Sequence, residues 1–502
     1  MSDDYLGSGG RLAGGPSPEL VRAGFAAETG HGPRLAAGMS TSDLAHAVVL
    51  AEAKAIDADT ARQLISGLLE LHSMDATEFP WDPSIGDAFN SREQELKRRV
   101  GAAAAGWLSA GRPRREVFRV GLRLLARAET RTLHDRVVDF ASALVEQADM
   151  YATDLAADYT YLLPAQPVTI GYLLLAYAEP ALRDAERLRT VHTKLDTSVA
   201  GAGGSGGSRW PLDRERLAEL LGCNGVVAHA KDAAWQADVF VELASAIAIQ
   251  AAHASQLAQD FEILASAEFG VVELADGHTR ASALMPQKRN PYALAVIRAG
   301  AATAAGDLTA ILTALHTGSA RTDHFHVLNG LIPRMLAEAN ATAALTAAVA
   351  SGMHIDRAAA ARAARDGFVT AADVADVLAQ EAGIDYRSAH KAVGLAVRTL
   401  VDGGKAPDAL TSEGLADASE KAIGVRATLA PDRLSEVLDP QACLGTRRQT
   451  GSTSPDQVAA LIAATRERVF EYRDWSATQA KREAAANSAL LARANELSAG
   501  QA

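Results

Sequence analysis

At 502 residues, with 48% hydrophobic and 22% charged side chains, the chain is long enough for two to four domains and apolar enough to fill their cores, which excludes a disordered or fibrous protein. A net charge of −12 argues against a nucleic-acid partner, because phosphate binding asks for a basic face, although a local basic pocket for a small anion stays open. Cys223 and Cys443 lie far apart with no CxxC or Cys/His spacing, so neither a disulfide framework nor a zinc site is expected.

The opening stretch MSDDYLGSGGRLAGGPSPEL is acidic and Gly-rich and lacks the basic start and apolar core of a secretory signal; no window reaches the ~18 uninterrupted apolar residues of a membrane span. A cytoplasmic protein without a membrane partner is the expectation. The first candidate boundary falls at SAGRPRRE (109–116), which makes 1–112 an N-terminal helical domain. Here Arg112, Arg114 and Arg115 stand just ahead of a periodic helix. Pro113 permits a sharp turn, first-turn amides can receive an anion, and arginine grips a carboxylate bidentately; a solvated basic turn has the same composition.

Next, DYTYLLPAQPVTIGYLLLAYAEP sets Thr160 and Tyr161 ahead of two prolines and an apolar helix, a pattern that a capping turn explains as well as a site does. The run AGAGGSGGSRWP (200–211) is a flexible loop without the GxxxxGK[ST] pattern of a phosphate cradle. Residues 239–266 place Phe240, Leu243, Ile247, Ala254, Leu257, Phe261 and Leu264 at three- and four-residue steps, which predicts a long heptad-like helix. A second, rich in small residues, is predicted over 292–316. Two such helices suggest a long bundle completed by other subunits. A second boundary near RDGFVTAADVADVL (365–378) leaves 113–366 as a central helical bundle and 367–502 as a C-terminal helical domain. With no alternating strand pattern around Asn-Gly turns, the class is mainly α.

Between the two long helices, TRASALMPQKRNPYALAVIR breaks all periodicity. Ser282, Lys288, Arg289 and Asn290 crowd a Pro-punctuated segment. A serine acts as a carbanion-generating base only when cations or backbone amides stabilise its alkoxide; Lys288 is near enough in sequence to help, and Asn290 can donate to a carboxylate. Further on, HTGSARTDHFHVLNG gathers Asp323, His324 and His326, without the further ligands at workable spacing that a metal needs.

ALMPQKRNP resembles the signature loop of the fumarase/aspartase superfamily, S-x-x-M-P-x-K-x-N-P, and YTYLLPAQPVTIG resembles its threonine-histidine segment. AEFGVVELADGHTRASALMPQKRNP, DGFVTAADVADVLAQEAGIDYRSAHKAVG and LDPQACLGTRRQTGSTSPDQV are most similar to argininosuccinate lyase, over about residues 35 to 470. The resemblance implies a three-domain fold whose long helices form the core of a homotetramer, with each active site built from three subunits and no cofactor. It implies β-elimination beside a succinyl carboxylate, releasing fumarate, with Ser282 taking the Cβ proton and Lys288 and Asn290 as its companions. Arg114 and Thr160 match carboxylate-binding positions.

The departures from the family are as specific. Tyr161 stands where argininosuccinate lyases have a histidine, and Ala295 where they have the glutamate that pairs with it. Phe89 and Ser109 replace histidines, and Arg115 replaces an asparagine. The Tyr and Gln that hold the amino-acid end of argininosuccinate give way to Thr322, Asp323, His324 and His326. Argininosuccinate is therefore not the expected substrate. Three readings stand. The first is a C–N lyase acting on another N-substituted aspartate or succinyl compound, with Ser282, Tyr161 and Lys288 as catalytic residues and Arg114, Arg115, Thr160, Asn290, Asp323 and His324 binding the dicarboxylate. The second is elimination of a non-amine group such as nitrite, which needs little help from a general acid. The third is a catalytically silent structural relative.

Overall fold

The computed structural model describes residues 11, 12, 14–318, 321 and 323–500; Thr322 and the first ten residues lie outside the described residues. A short helix α1 (Ala26–Gly30) leads into α2 (Gly32–Glu52), α3 (Ala58–Ser73) and α4 (Ala88–Ala105). Asp57 and Asp87 start α3 and α4 by accepting first-turn N–H groups, from Thr60 at 2.9 Å and Phe89 at 3.0 Å. Asn90 returns a bond to the Asp87 N–H at 3.2 Å, closing a capping box. Leu44, Leu64, Ile65 and Leu96 fill the core between these helices.

The body of the molecule begins with α5 (Arg114–Met150). A hairpin follows, β1 (Leu155–Thr160) and β2 (Leu163–Thr169), and then α6 (Ile170–Leu195) and α7 (Asp238–Leu264). After three short strands, β3 (Val272–Glu273), β4 (Arg280–Ala281) and β5 (Arg289–Asn290), come α8 (Tyr292–Ala314), α9 (Asp323–Gly352) and β6 (His354–Ile355). Both predicted long helices are present as α7 and α8. Leu133, Leu144, Leu182, Leu243, Ile247, Ile297 and Leu336 share one core, so α5 to α9 form an up-and-down bundle. Gly38 of α2 lets α5 approach closely: a Cβ there would lie 2.6 Å from the Gly121 carbonyl oxygen.

Each end of the bundle is tied. At one, the His324 ring bonds the Trp235 carbonyl at 2.8 Å, the Trp235 indole donates to Thr317 at 3.2 Å, and Arg119 reaches the Ala234 carbonyl. At the other, Gln147 donates to the Ser351 carbonyl at 3.1 Å, β3 pairs with β6, and the Ile355 N–H donates to the Tyr151 hydroxyl at 3.3 Å. At ~1.5 Å per residue, the 37 residues of α5 put about 55 Å between these ends.

The hairpin is where the structure departs from the sequence reading. Thr160 and Tyr161 do not cap the following helix; Thr169 does, accepting the Tyr172 N–H at 3.1 Å. The turn between the strands is Tyr161–Leu162, with φ of +53° and +61°. That left-handed pair suits a two-residue hairpin but usually recruits Asn-Gly, so the sequence carries no turn signal. Pro164 and Pro167 fit because a two-stranded ribbon leaves edge positions free.

Beyond the bundle, α10 (Ala371–Ala382), α11 (Tyr386–Asp402), α12 (Ser412–Ile423) and α13 (Pro431–Leu438) enclose a separate core of Val374, Leu378, Val393, Leu415 and Leu434. The final helix α14 (Pro455–Ser498), which a division at 367 groups with that core, instead runs back along the bundle. Arg466 pairs with Asp149 at 2.7 Å, Glu483 with His192 at 3.1 Å, and Arg493 with Glu52 at 2.9 Å.

By length and composition α8 is apolar enough to cross a membrane. It packs in the bundle, however, with Arg298 paired to Glu262 at 2.5 Å and Asp307 paired to Arg334. Tyr292, Val296 and Leu312 remain exposed along it.

Candidate active site

The arginine cluster sorts itself at the N-terminus of α5. Arg112 is buried and committed to Asp43 at 2.6 Å, and Arg92 grips the other oxygen of the same carboxylate at 2.8 Å. Arg112 is thus a packing residue rather than part of an anion site. Arg114 and Arg115, half-buried, stay at the mouth. Arg114 pairs with Asp87 at 2.7 Å, and Arg115 with Glu28 at 3.4 Å.

Both carboxylates escaped the sequence reading. Asp87 announces itself only as a helix cap, and Glu28 carries no local signal at all. Burial pushes the Asp87 carboxyl up to about 6 against the opposing pull of Arg114. Burial acts on Glu28 in the same sense, but a hydrogen bond from His326 and the charge of Arg115 outweigh it, so Glu28 lies below the usual carboxylate range.

The histidines of the Asp323–His326 segment part ways. His324 is buried, its Nε2 spent on the Trp235 carbonyl, and burial holds it below its ordinary value. It supports the bundle end and does not face the site. His326 is exposed and lies 2.5 Å from Glu28, with its Nε2 3.3 Å from Arg115. Asp323 opens α9 and is exposed, while Phe89, at a position where the family keeps a histidine, is buried in the core.

The second group lies at the other end of the bundle. β4 pairs with β5 in the register Arg280↔Asn290 and Ala281↔Arg289, so the loop from Ser282 to Lys288 is a closed excursion. Arg289 anchors its base on Glu273 at 2.6 Å and Asp276 at 2.7 Å. Asn290 donates to the Arg280 carbonyl at 3.0 Å, leaving one amide hydrogen for a ligand. The Ser282 Oγ accepts two backbone N–H groups, from Leu284 at 3.3 Å and Met285 at 3.0 Å. The Lys288 ammonium has no ion-pair partner among the described residues. Thr160 and Tyr161 share this end: Tyr159 beside them packs edge-on against Phe269, with ring centroids 5.6 Å apart. Tyr161 is fully exposed at the hairpin tip. One chain therefore keeps Ser282, Lys288, Asn290, Thr160 and Tyr161 at one end and Arg114, Arg115, Asp323 and His324 at the other.

The comparisons with known proteins place this helical bundle among lyases. The family model described as Lyase matches residues 33–306, and one described as Argininosuccinate lyase C-terminal matches 368–445, the separate helical unit. The argininosuccinate lyase of Frankia casuarinae is 33% identical over 467 residues, covering 91% of this chain and 97% of that protein. That of Methanothermobacter thermautotrophicus is 28% identical, covering 84% and 90%. EDDS lyase in complex with formate superposes with a TM-score of 0.85 at 26% identity, covering 96% of each chain. The chain belongs to the fumarase/aspartase superfamily of lyases, close to the argininosuccinate lyases.

Proposed function

We propose that this lyase breaks a C–N bond by β-elimination from an N-substituted aspartate other than argininosuccinate, releasing fumarate and an amine, with Ser282 as the base. The observation that carries the reading is the pair of amides on the Ser282 Oγ: two N–H groups already aimed at the oxygen stabilise its alkoxide without rearrangement at the moment of reaction. Lys288 adds an uncommitted cation to the same loop. Arg114 supplies a carboxylate grip once a ligand competes with Asp87. EDDS lyase, similar over nearly the whole chain, also exists as a variant with bound fumarate, which supports the product.

Since the base and the carboxylate grip lie by opposite ends of α5, a helix about 55 Å long, the working site needs further copies of the chain. Tyr292, Val296 and Leu312 on α8, together with the exposed hairpin tip Tyr161–Leu163, give apolar surface for that assembly, in line with a homotetramer and composite sites. The left-handed backbone at Tyr161 and Leu162 fits a tip held for a purpose in a neighbouring site, with Thr160 beside it. The replacement of the family's His/Glu pair by Tyr161 and Ala295 favours a second reading, loss of an anion such as nitrite.

The test is fumarate formation, followed by absorbance, in both directions with a panel of amines and with nitrite. Wild-type turnover that Ser282→Ala abolishes while helical content is unchanged is the expected result. Activity above about a tenth of wild type in that variant refutes the serine base.

A further inference from the structure

We propose that His326, oriented by Glu28, is the proton donor to the departing nitrogen, in place of the histidine–glutamate pair whose positions Tyr161 and Ala295 now hold. This deepens the C–N lyase reading above and rests on it. The geometry is that of an acid–base pair with an orienting carboxylate. His326 Nδ1 lies 2.5 Å from Glu28 Oε1, and the Arg115 guanidinium lies 3.3 Å from Nε2. A guanidinium only donates, so at rest Nε2 holds the lone pair and the Nδ1–H is given to Glu28. The ring is thereby fixed in one tautomer, with its second nitrogen turned toward the arginines. Glu28 is buried while the His326 side chain is 45% exposed, so the ring can meet a ligand that its partner cannot.

The groups acting on this pair are Arg114 and Arg115 from α5, Asp87 at the cap of α4 and His31 just after α1, while His324, two residues before His326, is turned inward onto the Trp235 carbonyl. A substrate carboxylate draws Arg115 away from Nε2, which then takes a proton from solvent while Glu28 stabilises the imidazolium. In the reaction the Ser282 Oγ takes the Cβ proton and the Cβ electron pair becomes the new C=C bond. The Cα–N bond breaks toward nitrogen, and Nε2–H passes to that nitrogen. A substrate in its amine form thus gives fumarate and a neutral amine, the imidazole ends neutral, and the proton on Ser282 returns to solvent.

Two measurements on the same N-substituted aspartate separate this step from the one before it: exchange of the Cβ proton in deuterium oxide, and C–N cleavage. His326→Asn is expected to keep exchange within ~3-fold of wild type and to lower cleavage ~100-fold or more. With nitrosuccinate, whose leaving anion needs no proton, the same variant is expected to lose less than ~10-fold. Glu28→Gln keeps a hydrogen bond to the ring but removes the charge that favours its protonated form, so the alkaline limb of cleavage moves to lower pH. Cleavage by His326→Asn within ~10-fold of wild type overturns the proposal, and the C–N lyase reading survives if Ser282→Ala is still inactive. A wild type with neither exchange nor cleavage across the amine panel overturns that reading and this one with it. Should His326→Asn fail to fold, the Glu28→Gln profile decides, and an unmoved alkaline limb refutes the donor role.

Discussion

The division of the site between two ends of one helix makes a quantitative prediction about mixed oligomers. On the proposed mechanism Arg114→Ala removes the carboxylate grip and Ser282→Ala removes the base, so each variant alone is expected to be inactive. In a single chain these positions lie by opposite ends of α5, a helix about 55 Å long, far more than the length of any substituted succinate. On the proposed mechanism a working site takes its arginine end from one copy and its loop from another. When the two variants are unfolded together in equal amounts and refolded, about half the sites receive an intact arginine end and about half of those an intact loop, so about a quarter of wild-type turnover returns. The assay is fumarate absorbance at fixed total protein, with separately refolded variants mixed afterwards as the control. A co-refolded mixture no more active than that control would mean that both residues serve the same copy, and the composite site would have to be abandoned.

Other outcomes follow from single contacts. Asp87, with its folded value near about 6 against 3.8 unfolded, holds a proton in the native state that the unfolded chain lacks, so its contribution to stability falls as pH rises through about 6; Asp87→Asn should flatten that dependence in urea unfolding between about pH 4 and 7. Fumarate binding measured by calorimetry should likewise weaken as pH rises through the same window, because ionised Asp87 competes for Arg114, and Asp87→Asn should remove the effect. With His326 as the donor, Tyr161→Phe should cost less than ~10-fold in turnover, and a loss of ~100-fold at unchanged binding would assign the acid to Tyr161 instead. Asp43→Ala strands Arg92 and Arg112 in a buried site and should lower unfolding free energy by ~3–5 kcal/mol; a change under ~1 kcal/mol would show that water reaches the pair.

The helical class was legible because apolar residues at three- and four-residue steps leave α7 no other way to bury Leu243, Ile247 and Leu257. The loop from Ser282 to Asn290 was legible for the opposite reason, since polar groups that spoil a period must be there for another purpose. The hairpin was not, because Tyr161–Leu162 holds a left-handed turn without the residues that usually mark one, and only the β1/β2 pairing around it makes the cost bearable. Glu28 and Asp87 were hidden because their partners lie far along the chain, and no local pattern encodes a distant ion pair. The Asp323–His326 segment shows how a little structure settles what spacing leaves open. Read as a loop, His324 and His326 are equivalent ligands. Once Asp323 begins a helix, residues two apart point about 200° from one another, so only one of them can face the bundle. His324 takes the inner direction and gives its nitrogen to Trp235, and His326 is thereby turned outward onto Glu28 and Arg115. The position of a helix start, not the composition of the segment, thus decides which histidine is free to move a proton.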